Sequence, residues 1–385
     1  MSEERPRGRS DFLALIGLGI LNHMVLAGGR VTVSLYALSL GASPLVVGSL
    51  IGFYAFLPMF LSVFAGRLAD RIGVRRPMLL GSCGLILAAA LPCMLGGVNV
   101  LFVSTSLTGV SFMLFQVSAQ SVTGAFGKPE DRARNFSLLA LGYSISGLTG
   151  PLTAGFMIDQ ASFRTTFMLL AVLPVVPALV LWRGAIYLPM IHLGRVPAGE
   201  AGLMVLFRDA RMRRVFLVNA LLSMAWDLHS FFIPLYGNKI GLSATRIGMI
   251  LAAFAGATFV VRLFMPRIIR HLTELQVLAT ALFTAGVVYS MFPLVNSPGL
   301  LMVLSFVLGL ALGSGQPMVM SLLHSFAPAG RMGEAAGVRM SIVNASTFAV
   351  PLLFGAVGAS FGIAPVFWSV GAALAGGGWF ARRGA

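Results

Sequence analysis

Two charged residues lie inside long apolar segments of the sequence. Arg30 falls within the segment 12–38, and Asp227 lies in the middle of the segment 215–238. A charge at the centre of a bilayer costs about 2.5–3.5 kcal/mol on insertion scales, so such residues are functional candidates by default. Asp227 is therefore the candidate for reversible protonation. Arg30 is its candidate counter-charge, or the group that would hold a substrate carboxylate.

Uncharged polar residues accompany both charges at helical spacing. Residues three, four or seven positions apart share one face of a helix. The two polar stripes consist of Asn219, Ser223, Asp227 and Ser230, and of His23, Arg30 and Ser34.

These stripes admit two interpretations, because exposure of polar groups to lipid would be costly. They line a water-filled cavity, or they hold helices together, which polar side chains do for about 0.6 kcal/mol each. Gln116 and Gln316 lie 200 residues apart and are further cavity candidates, since an amide both donates and accepts hydrogen bonds. For His23 and His229 the sequence supports cavity and packing equally.

Other kinds of site find no support in the sequence. It contains no phosphate-binding glycine loop followed by Lys-Ser or Lys-Thr, so ATP is not the expected energy source. Cys83 and Cys93 share one apolar segment and match no metal-ligand spacing. Met320 and His324 are four residues apart, but with 20 methionines in the chain we interpret this as coincidence. We expect no metal, no cofactor and no enzyme activity.

The composition requires a lipid environment. Of 385 residues, 57% are hydrophobic and only 10% are charged, whereas a soluble domain carries about 25% charged residues. The net charge of +15 would suggest nucleic acid in a soluble protein. Here the charges stand between the apolar segments, so we expect them to determine membrane topology and expect no nucleic-acid partner.

Apolar segments separated by charges, Gly and Pro predict twelve transmembrane helices, since about 20 apolar residues span a bilayer. The predicted spans are 12–38, 44–66, 77–95, 99–126, 134–158, 163–182, 215–238, 243–265, 275–294, 299–326, 335–360 and 365–381.

The loops between these spans alternate in charge. One set is rich in arginine and includes 67–76, 183–214, 262–271 and 331–339, whereas the opposite set holds only Arg164, Lys239 and Arg246. By the positive-inside rule, both termini are cytoplasmic and the protein is a multi-pass protein of a bacterial-type inner membrane. Segment 12–38 is too long for a signal peptide, so we expect this first helix to be retained.

An internal repeat divides the chain into halves. Leu35, Tyr36 and Gly41 recur 200 residues later as Leu235, Tyr236 and Gly241. We predict an N-terminal bundle over 1–183, a cytoplasmic linker over 184–214 and a C-terminal bundle over 215–385. Parallel repeats of this kind place a solute site near the membrane midplane between the halves. At the same shift Asp227 corresponds to a position one turn before Arg30, so the two charges should lie at a similar depth in the membrane.

A resemblance to a known family rests on the segment between spans two and three. Residues 66–76 read Gly-Arg-Leu-Ala-Asp-Arg-Ile-Gly-Val-Arg-Arg. This segment is similar to the signature loop of the major facilitator superfamily, Gly-x-x-x-Asp-Arg-x-Gly-x-Arg-Arg. All of its defined positions are filled, by Gly66, Asp70, Arg71, Gly73, Arg75 and Arg76.

The resemblance covers the whole chain and implies an all-α fold of two pseudo-symmetric six-helix bundles. In that family the signature loop latches the halves, and Asp70 would face the start of span eleven. Spans one and seven of that fold border the central cavity, so Arg30 and Asp227 would approach each other there as a gate or a charge pair. Gly66 and Gly73 would allow a tight turn and close helix approach. Arg132 and Arg331, each three residues after a proline, are candidates for an inner gate.

Two further family patterns are imperfect in this sequence. Small residues and prolines in span five resemble a motif associated with antiporters, and they also suit helix packing. The packing candidates are Gly150, Pro151, Gly155, Pro351 and Gly355. The family's arginine in span four is replaced by Thr105, so proton coupling by that route is not expected.

These observations predict a secondary transporter that moves a small organic solute by alternating access with proton coupling. Its partners would be the solute, protons and the lipid bilayer, and a monomer is expected. Within this class the alternative is a multidrug/proton antiporter. From another class, the alternative is a non-transporting membrane sensor or assembly partner that has kept the fold.

Overall fold

The computed structural model describes residues 8–123, 126, 132–189, 204–327 and 332–382. Within these ranges the chain forms α-helices and one 3-10 turn, and no strand. The first seven helices are α1 Gly8–Ser39, α2 Pro44–Ile72, α3 Arg75–Met94, α4 Val98–Thr123, α5 Arg132–Gln160, α6 Phe163–Val172 and α7 Val175–Trp182. They are followed by α8 Met204–Arg208, α9 Ala210–Lys239, α10 Ala244–Ile268, α11 Glu274–Met291, the 3-10 turn Phe292–Leu294, α12 Pro298–Gly313, α13 Gly315–Phe326, α14 Met332–Phe361 and α15 Ile363–Arg382.

The prediction of an all-α membrane protein is confirmed. Ten stretches of the described chain are helical, long enough and apolar enough to cross a bilayer. Helices suit this environment because they satisfy their backbone hydrogen bonds internally.

The two predicted spans outside these ten are α5 and α15. Both are long helices, of 29 and 20 residues, but their small and polar residues lower the hydropathy. Gly376, Gly377 and Gly378 stand in succession in α15. In α5, Gly150 lies against α1, where a Cβ added to Gly28 would come within 2.9 Å of the Gly150 carbonyl oxygen. In α5, small residues therefore allow close packing on α1, where larger apolar side chains would not fit.

Two predicted spans are each made of two helices. The span 163–182 consists of α6 and α7, and Pro174 precedes the second helix. The span 299–326 consists of α12 and α13, which meet at Ser314. Pro174 has no N–H to donate to the preceding turn, which is why α6 ends there.

The chain divides into two compact units. Unit 1 comprises Met1–Leu40 and Phe53–Val196, and unit 2 comprises Gly41–Gly52 and Pro197–Ala385. The first turns of α2 thus cluster with the second unit. The predicted boundaries 1–183, 184–214 and 215–385 stay a prediction.

Unit 1 has a core formed mainly by α1, α3, α4 and α7. Leu15, Met78, Phe115 and Leu181 have no exposed surface within it. Helix α1 packs against both α5 and α4. The inward face of α1 is also the face that carries His23, so the core fixes where that side chain points.

Unit 2 is organised around α9 and an aromatic cluster. The ring of Phe367 lies 5.3 Å from Phe232, 5.5 Å from Phe292 and 5.9 Å from Tyr289 between centroids. Such aromatic pairs contribute about 0.5–1.5 kcal/mol each beyond the area they bury. The cluster joins α9 to α11 and α15 near the end of α9.

The internal repeat has a structural counterpart inside each unit. In unit 1, Gly109 of α4 lies against the backbone carbonyl of Tyr54 in α2, with no room for a side chain. In unit 2, Gly309 of α12 lies against the backbone carbonyl of Phe254 in α10 in the same way. Gly309 lies 200 positions after Gly109, and Phe254 lies 200 positions after Tyr54. The equivalent helices of the two units therefore pack in the same register.

Candidate functional site

The signature segment is mostly helical. Helix α2 continues to Ile72, so Gly66, Asp70 and Arg71 belong to it, and only Gly73 and Val74 separate α2 from α3. Gly73 makes the turn, with a φ of 78° that favours glycine. Gly66 lies inside the helix and not in the turn. The side chains of Asp70 and Arg71 are outside the described part of the chain, so their latch role stays a prediction.

Arg75 of the signature segment makes a specific contact within unit 1. Its Nη2 donates a hydrogen bond of 2.7 Å to the backbone carbonyl oxygen of Ile186. Gly184, with a φ of 65°, leaves the space that the guanidinium occupies. Arg75 therefore ties the start of α3 to the segment that follows α7. Arg76 is exposed, the side chain of Arg132 is not described, and Arg331 lies outside the described residues.

Asp227 is buried in unit 2, with 7% of its surface exposed. The hydroxyl of Thr347 on α14 lies 3.2 Å and 3.1 Å from its two carboxylate oxygens, in geometry to donate to them. The same hydroxyl lies 3.1 Å from the carbonyl oxygen of Val343, one turn earlier on α14. One hydroxyl proton thus has two alternative acceptors, a carboxylate and a backbone carbonyl.

The polar stripe predicted on span seven lies on one uninterrupted helix, α9. Asn219 is buried, and its Nδ2 has no hydrogen-bond partner among the described residues. Ser223 and Ser230 are half-buried, and Ser230 donates to the carbonyl oxygen of Trp226 at 3.2 Å. The stripe therefore combines one hydrogen-bonded acid with an amide that retains donor capacity.

His229 packs on a different side of α9. Its Nε2 lies 3.0 Å from the hydroxyl oxygen of Ser305 on α12, and its ring stacks on Phe254 at 4.3 Å between centroids. Tyr289 of α11 donates a hydrogen bond to the carbonyl oxygen of Ala225 nearby. These contacts link α9 to its neighbours, while the Nδ1 of His229 is buried without a hydrogen-bond partner among the described residues.

In unit 1, His23 joins α1 to α5. Its Nδ1 lies 2.6 Å from the hydroxyl oxygen of Ser146, and its ring lies 5.2 Å from Phe112 and 5.0 Å from Tyr143 between centroids. An imidazole enclosed by aromatic rings and held by one hydroxyl is fixed in orientation. Ser34, further along α1, is fully buried.

Arg30 lies two turns beyond His23 on α1. Its guanidinium carbon is 5.8 Å from the centre of the Tyr54 ring, within the range of a cation–π interaction. Its Nε is buried without a hydrogen-bond partner in the described residues. A guanidinium with an unused donor fits a group that binds an anion. The proposed pairing of Arg30 with Asp227 stays a prediction.

The two symmetry-related glutamines have different surroundings. Gln116 on α4 is half-buried, whereas Gln316 on α13 is exposed. The Nη2 of Arg262 lies 3.5 Å from the Oε1 of Gln316. Their predicted place in a cavity stays a prediction.

Arg262 and Arg339 stand where the predicted spans 243–265 and 335–360 overlap the arginine-rich segments 262–271 and 331–339. Arg262 lies inside α10 and Arg339 inside α14. Arg339 is only 9% exposed, and its Nη1 lies 3.5 Å from the sulfur of Met340. Helix α10 continues three residues beyond its predicted span, to Ile268, and α14 begins three residues before its predicted span, at Met332.

Sequence reasoning also missed Asn22. This residue is fully buried, and its Nδ2 donates a hydrogen bond of 2.9 Å to Ser82 of α3. It directly precedes His23, so the two side chains point to different helices. Its polar type inside an apolar segment was the available signal.

The small-residue positions predicted for helix packing do make close approaches. In unit 1, Gly150 lies against the backbone of Gly28. In unit 2, the carbonyl of Pro351 lies against Gly48, and a Cβ on Gly355 would be 2.8 Å from the Pro44 carbonyl oxygen. Pro151 lies inside α5, in the same helix as Gly155. The backbone of α14 therefore runs directly along the first turns of α2.

Comparisons with known proteins identify a family for this sequence. The sequence matches the model of the Major Facilitator Superfamily over residues 15–298 and 215–383. The quinolone resistance protein NorA of Staphylococcus aureus (strain MSSA476) is 23% identical over 378 residues, which cover 95% of this chain and 92% of that protein. The multidrug resistance protein MdtH of Cronobacter sakazakii (strain ATCC BAA-894) is 33% identical over 129 residues, covering 33% of this chain and 31% of that protein.

Solved structures show the same fold. The peptide transporter POT in complex with sulfate superposes with a TM-score of 0.80 at 18% identity, covering 97% of this chain and 94% of that chain. A bacterial homologue of the human lysosomal transporter Spinster, in an inward-facing and unoccupied conformation, has a TM-score of 0.76 at 14% identity and covers 98% and 94%. At these identities the likeness concerns the fold.

Proposed function

Because the chain belongs to the Major Facilitator Superfamily and is a multi-pass secondary transporter, we propose that it couples the movement of a small amphiphilic organic anion to protons, with Asp227 as the proton-binding group. The observation that carries this proposal is the buried carboxylate of Asp227, held by a hydroxyl that has a second acceptor on its own helix. A charge in this position is functional by default in a membrane protein.

The hydroxyl of Thr347 supplies a two-state contact. When Asp227 is ionised, the hydroxyl donates to the carboxylate. When Asp227 takes up a proton, its own O–H can donate to the oxygen of Thr347, and the hydroxyl proton then turns to the carbonyl oxygen of Val343. Protonation thus exchanges a hydrogen bond to a charged acceptor, worth about 1.5–3 kcal/mol, for neutral ones worth about 0.5–1.5 kcal/mol. The link between α9 and α14 is weaker in the protonated state.

Arg30 is the proposed binding group for the anionic part of the solute. Its guanidinium offers a planar set of donors that matches a carboxylate, and its Nε is unused in the described part of unit 1. We also propose that Arg30 and Asp227 form an ion pair when no solute is bound, and that the solute competes with Asp227 for Arg30. Solute binding would then free the carboxylate to accept a proton.

The arginine-rich loops support an orientation with both termini in the cytoplasm, in a bacterial-type inner membrane. We propose that the protein works as a monomer, since each helix bundle of this fold is complete in one chain. The family arginine of span four is absent at Thr105. Proton coupling is therefore assigned to unit 2.

Transport by reconstituted protein tests the assignment. A thermal-shift screen of organic anions on purified protein first identifies a solute. In liposomes, an imposed pH gradient should then drive accumulation of that solute by the wild type. Asp227→Asn should lose this accumulation by tenfold or more, which is about 1.4 kcal/mol of coupling free energy, but should retain solute exchange between equal pH values.

The matched control is Asp159→Asn, which neutralises an exposed carboxylate at the end of α5 and should transport like the wild type. Unchanged pH dependence in Asp227→Asn would remove Asp227 from the proposal. For the pair, recovery of folding and exchange in the double variant Arg30→Ala/Asp227→Ala, where both single variants fail, would assign the two charges to structural pairing.

Efflux of hydrophobic drugs by proton antiport is the second candidate. It is favoured by the likeness to two proteins named for quinolone and multidrug resistance. In everted membrane vesicles with an acidified lumen, the wild-type protein would take up a hydrophobic cationic dye if it is an antiporter. The Asp227→Asn variant would not take up the dye. A protein that exchanges no solute and no dye in any of these assays would instead support the sensor or assembly role.

A further inference from the structure

Unit 1 contains a cavity whose lining includes none of the candidate transport residues. It has a volume of about 400 Å³ and lies where the end of α1, the turn between α3 and α4, and the start of α6 meet. Small-molecule sites in proteins have volumes of about 300–1,000 Å³. The cavity is therefore large enough for a compact organic ligand.

One wall of the cavity is aromatic. Tyr36, Phe163 and Phe167 line it, and the Tyr36 ring lies 5.2 Å from Phe163 and 5.8 Å from Phe167 between centroids. Phe167 is buried, whereas the other two rings are half-buried and present part of their surface to the cavity. Rings in this arrangement favour a flat aromatic ligand, because it can stack on them or meet their edges.

The rim of the cavity is positively charged. Arg164 lines it and is exposed, and its planar guanidinium can form two parallel hydrogen bonds to a carboxylate or sulfonate. The described residues that line the cavity include no acid. An anionic group on the ligand would thus meet one cation and no opposing charge.

We propose that this cavity is a second ligand site, separate from the transport residues, that takes a flat aromatic anion such as an aryl carboxylate or aryl sulfonate. The ring of the ligand lies against the aromatic wall, and its anionic group lies on Arg164. An acidic phospholipid shares the negative charge but has no ring for this wall. A soluble aromatic anion is therefore the occupant that the lining favours.

Cys93 provides a direct measure of occupancy. It lines the cavity, is half-buried, and its sulfur lies 3.7 Å from the backbone carbonyl oxygen of Arg164. With the exposed Cys83 replaced by serine, maleimide modification of the purified protein in an uncharged detergent reports on Cys93 alone. A bound ligand that buries most of its surface in the cavity should slow this reaction by about fivefold or more.

The probe is naphthalene-2-sulfonate, compared with inorganic sulfate and with neutral 2-naphthalenemethanol. Naphthalene-2-sulfonate should protect Cys93, and the two comparison compounds should protect it little. Arg164→Gln should abolish the protection, and so should Phe163→Leu, which keeps apolar bulk but removes the ring. Isothermal calorimetry of the same variants provides a second measurement that does not depend on the thiol.

Arg246→Gln is the matched control. Arg246 is exposed near the start of α10 and follows a serine N-cap, as Arg164 does at the start of α6, so this variant should keep full protection. The proposal is overturned if naphthalene-2-sulfonate does not protect the wild type, or if either comparison compound protects equally. Protection by phosphatidylglycerol micelles but not by naphthalene-2-sulfonate would assign the cavity to lipid and would also overturn it.

Discussion

In each unit a hydrogen bond joins the first membrane span to the fifth, but the titratable group in this bond differs between the units. In unit 1, α1 and α5 meet through the imidazole of His23 and the hydroxyl of Ser146. In unit 2, α9 and α14 meet through the carboxylate of Asp227 and the hydroxyl of Thr347. Each junction is a hydroxyl against a titratable group, but only the second places an acid inside the bundle.

The backbones of the units differ much less than these junctions. Gly109 against Tyr54 and Gly309 against Phe254 are the same contact in two copies, at the same 200-residue shift. The position of Asp227 corresponds to Ala27 in unit 1. Helix packing has thus been retained in both copies while the polar groups have diverged, which is expected if one unit carries the proton-binding group.

The largest effect should come from breaking the contact that both units share. Gly109→Leu and Gly309→Leu each place a side chain where a backbone carbonyl lies in close contact. Such overpacking costs about 1–3 kcal/mol or more, so both variants should give little monodisperse protein in size-exclusion chromatography.

Gly17→Leu in α1 and Gly376→Leu in α15 are the controls, since no atom lies within 4 Å of a Cβ added at either position. They should purify like the wild type. If Gly309→Leu folds normally while Gly109→Leu does not, the units do not depend on equivalent packing, and the comparison fails at the level of the backbone.

A smaller effect should separate the two junctions. Thr347→Val removes the hydroxyl that contacts the Asp227 carboxyl group, which is ionised at neutral pH in the proposed mechanism, and Ser146→Ala removes the hydroxyl that contacts the His23 ring. Hydrogen bonds to charged groups contribute about 1.5–3 kcal/mol and neutral ones about 0.5–1.5 kcal/mol. We expect Thr347→Val to lower the thermal midpoint in detergent at neutral pH more than Ser146→Ala does.

Thr347→Ser is the control for this measurement, because it keeps the hydroxyl and removes only a methyl group. It should retain the wild-type midpoint to a greater extent than Thr347→Val. An equal decrease of the thermal midpoint in Thr347→Val and Ser146→Ala would mean that the charge of Asp227 does not strengthen the contact in unit 2. That result would contradict the proposed two-state contact of Asp227 and Thr347.

The smallest effect concerns helix starts. Asp209 caps α9 in unit 2, whereas Ser162 caps α6 in unit 1. The backbone N–H of Arg211, 2.7 Å from the carboxylate, is the main reason that the pKa of Asp209 lies below its ordinary value. A lowered pKa in the folded state means that the cap contributes above the unfolded pKa of about 3.9, and that this contribution is lost as the pH falls further.

Asp209→Ala and Ser162→Ala should each cost about 0.5–2 kcal/mol at neutral pH. Below about pH 4 the loss caused by Asp209→Ala should shrink, while the loss caused by Ser162→Ala should stay the same. Thermal unfolding of both variants between pH 7 and pH 3 checks this. Asp209→Asn keeps a side-chain acceptor without a charge and should show no such pH dependence.

Much of the fold follows from local features of the sequence. The apolar segments and the scarcity of charge predict helices in a bilayer, and the signature segment at 66–76 indicates the family. The differences fall at the ends of helices: α10 and α14 each extend three residues beyond the predicted spans, into the arginine-rich segments that contain Arg262 and Arg339.

Less of the candidate site could be predicted. The sequence singled out Asp227 and His23 from their polar type and spacing, but it did not indicate Thr347 or Asn22 as important. Serine and threonine are common in the interior of these helices, where most of them bond to their own backbone. Only the rotation of each helix decides which hydroxyl faces a neighbour.

The sequence alone determined that this protein lies in a membrane, is helical, has a repeated architecture and belongs to its family, because apolar content, loop charge and a short motif are local properties. The tertiary structure decided that Thr347 meets Asp227, that His229 packs against Phe254, and that Tyr36, Phe163 and Arg164 enclose one cavity. The physical reason is that a hydrogen bond or a ring contact requires atoms from distant segments to lie within a few ångströms of each other. Helix crossings set by small residues such as Gly109 and Gly309 fix those distances.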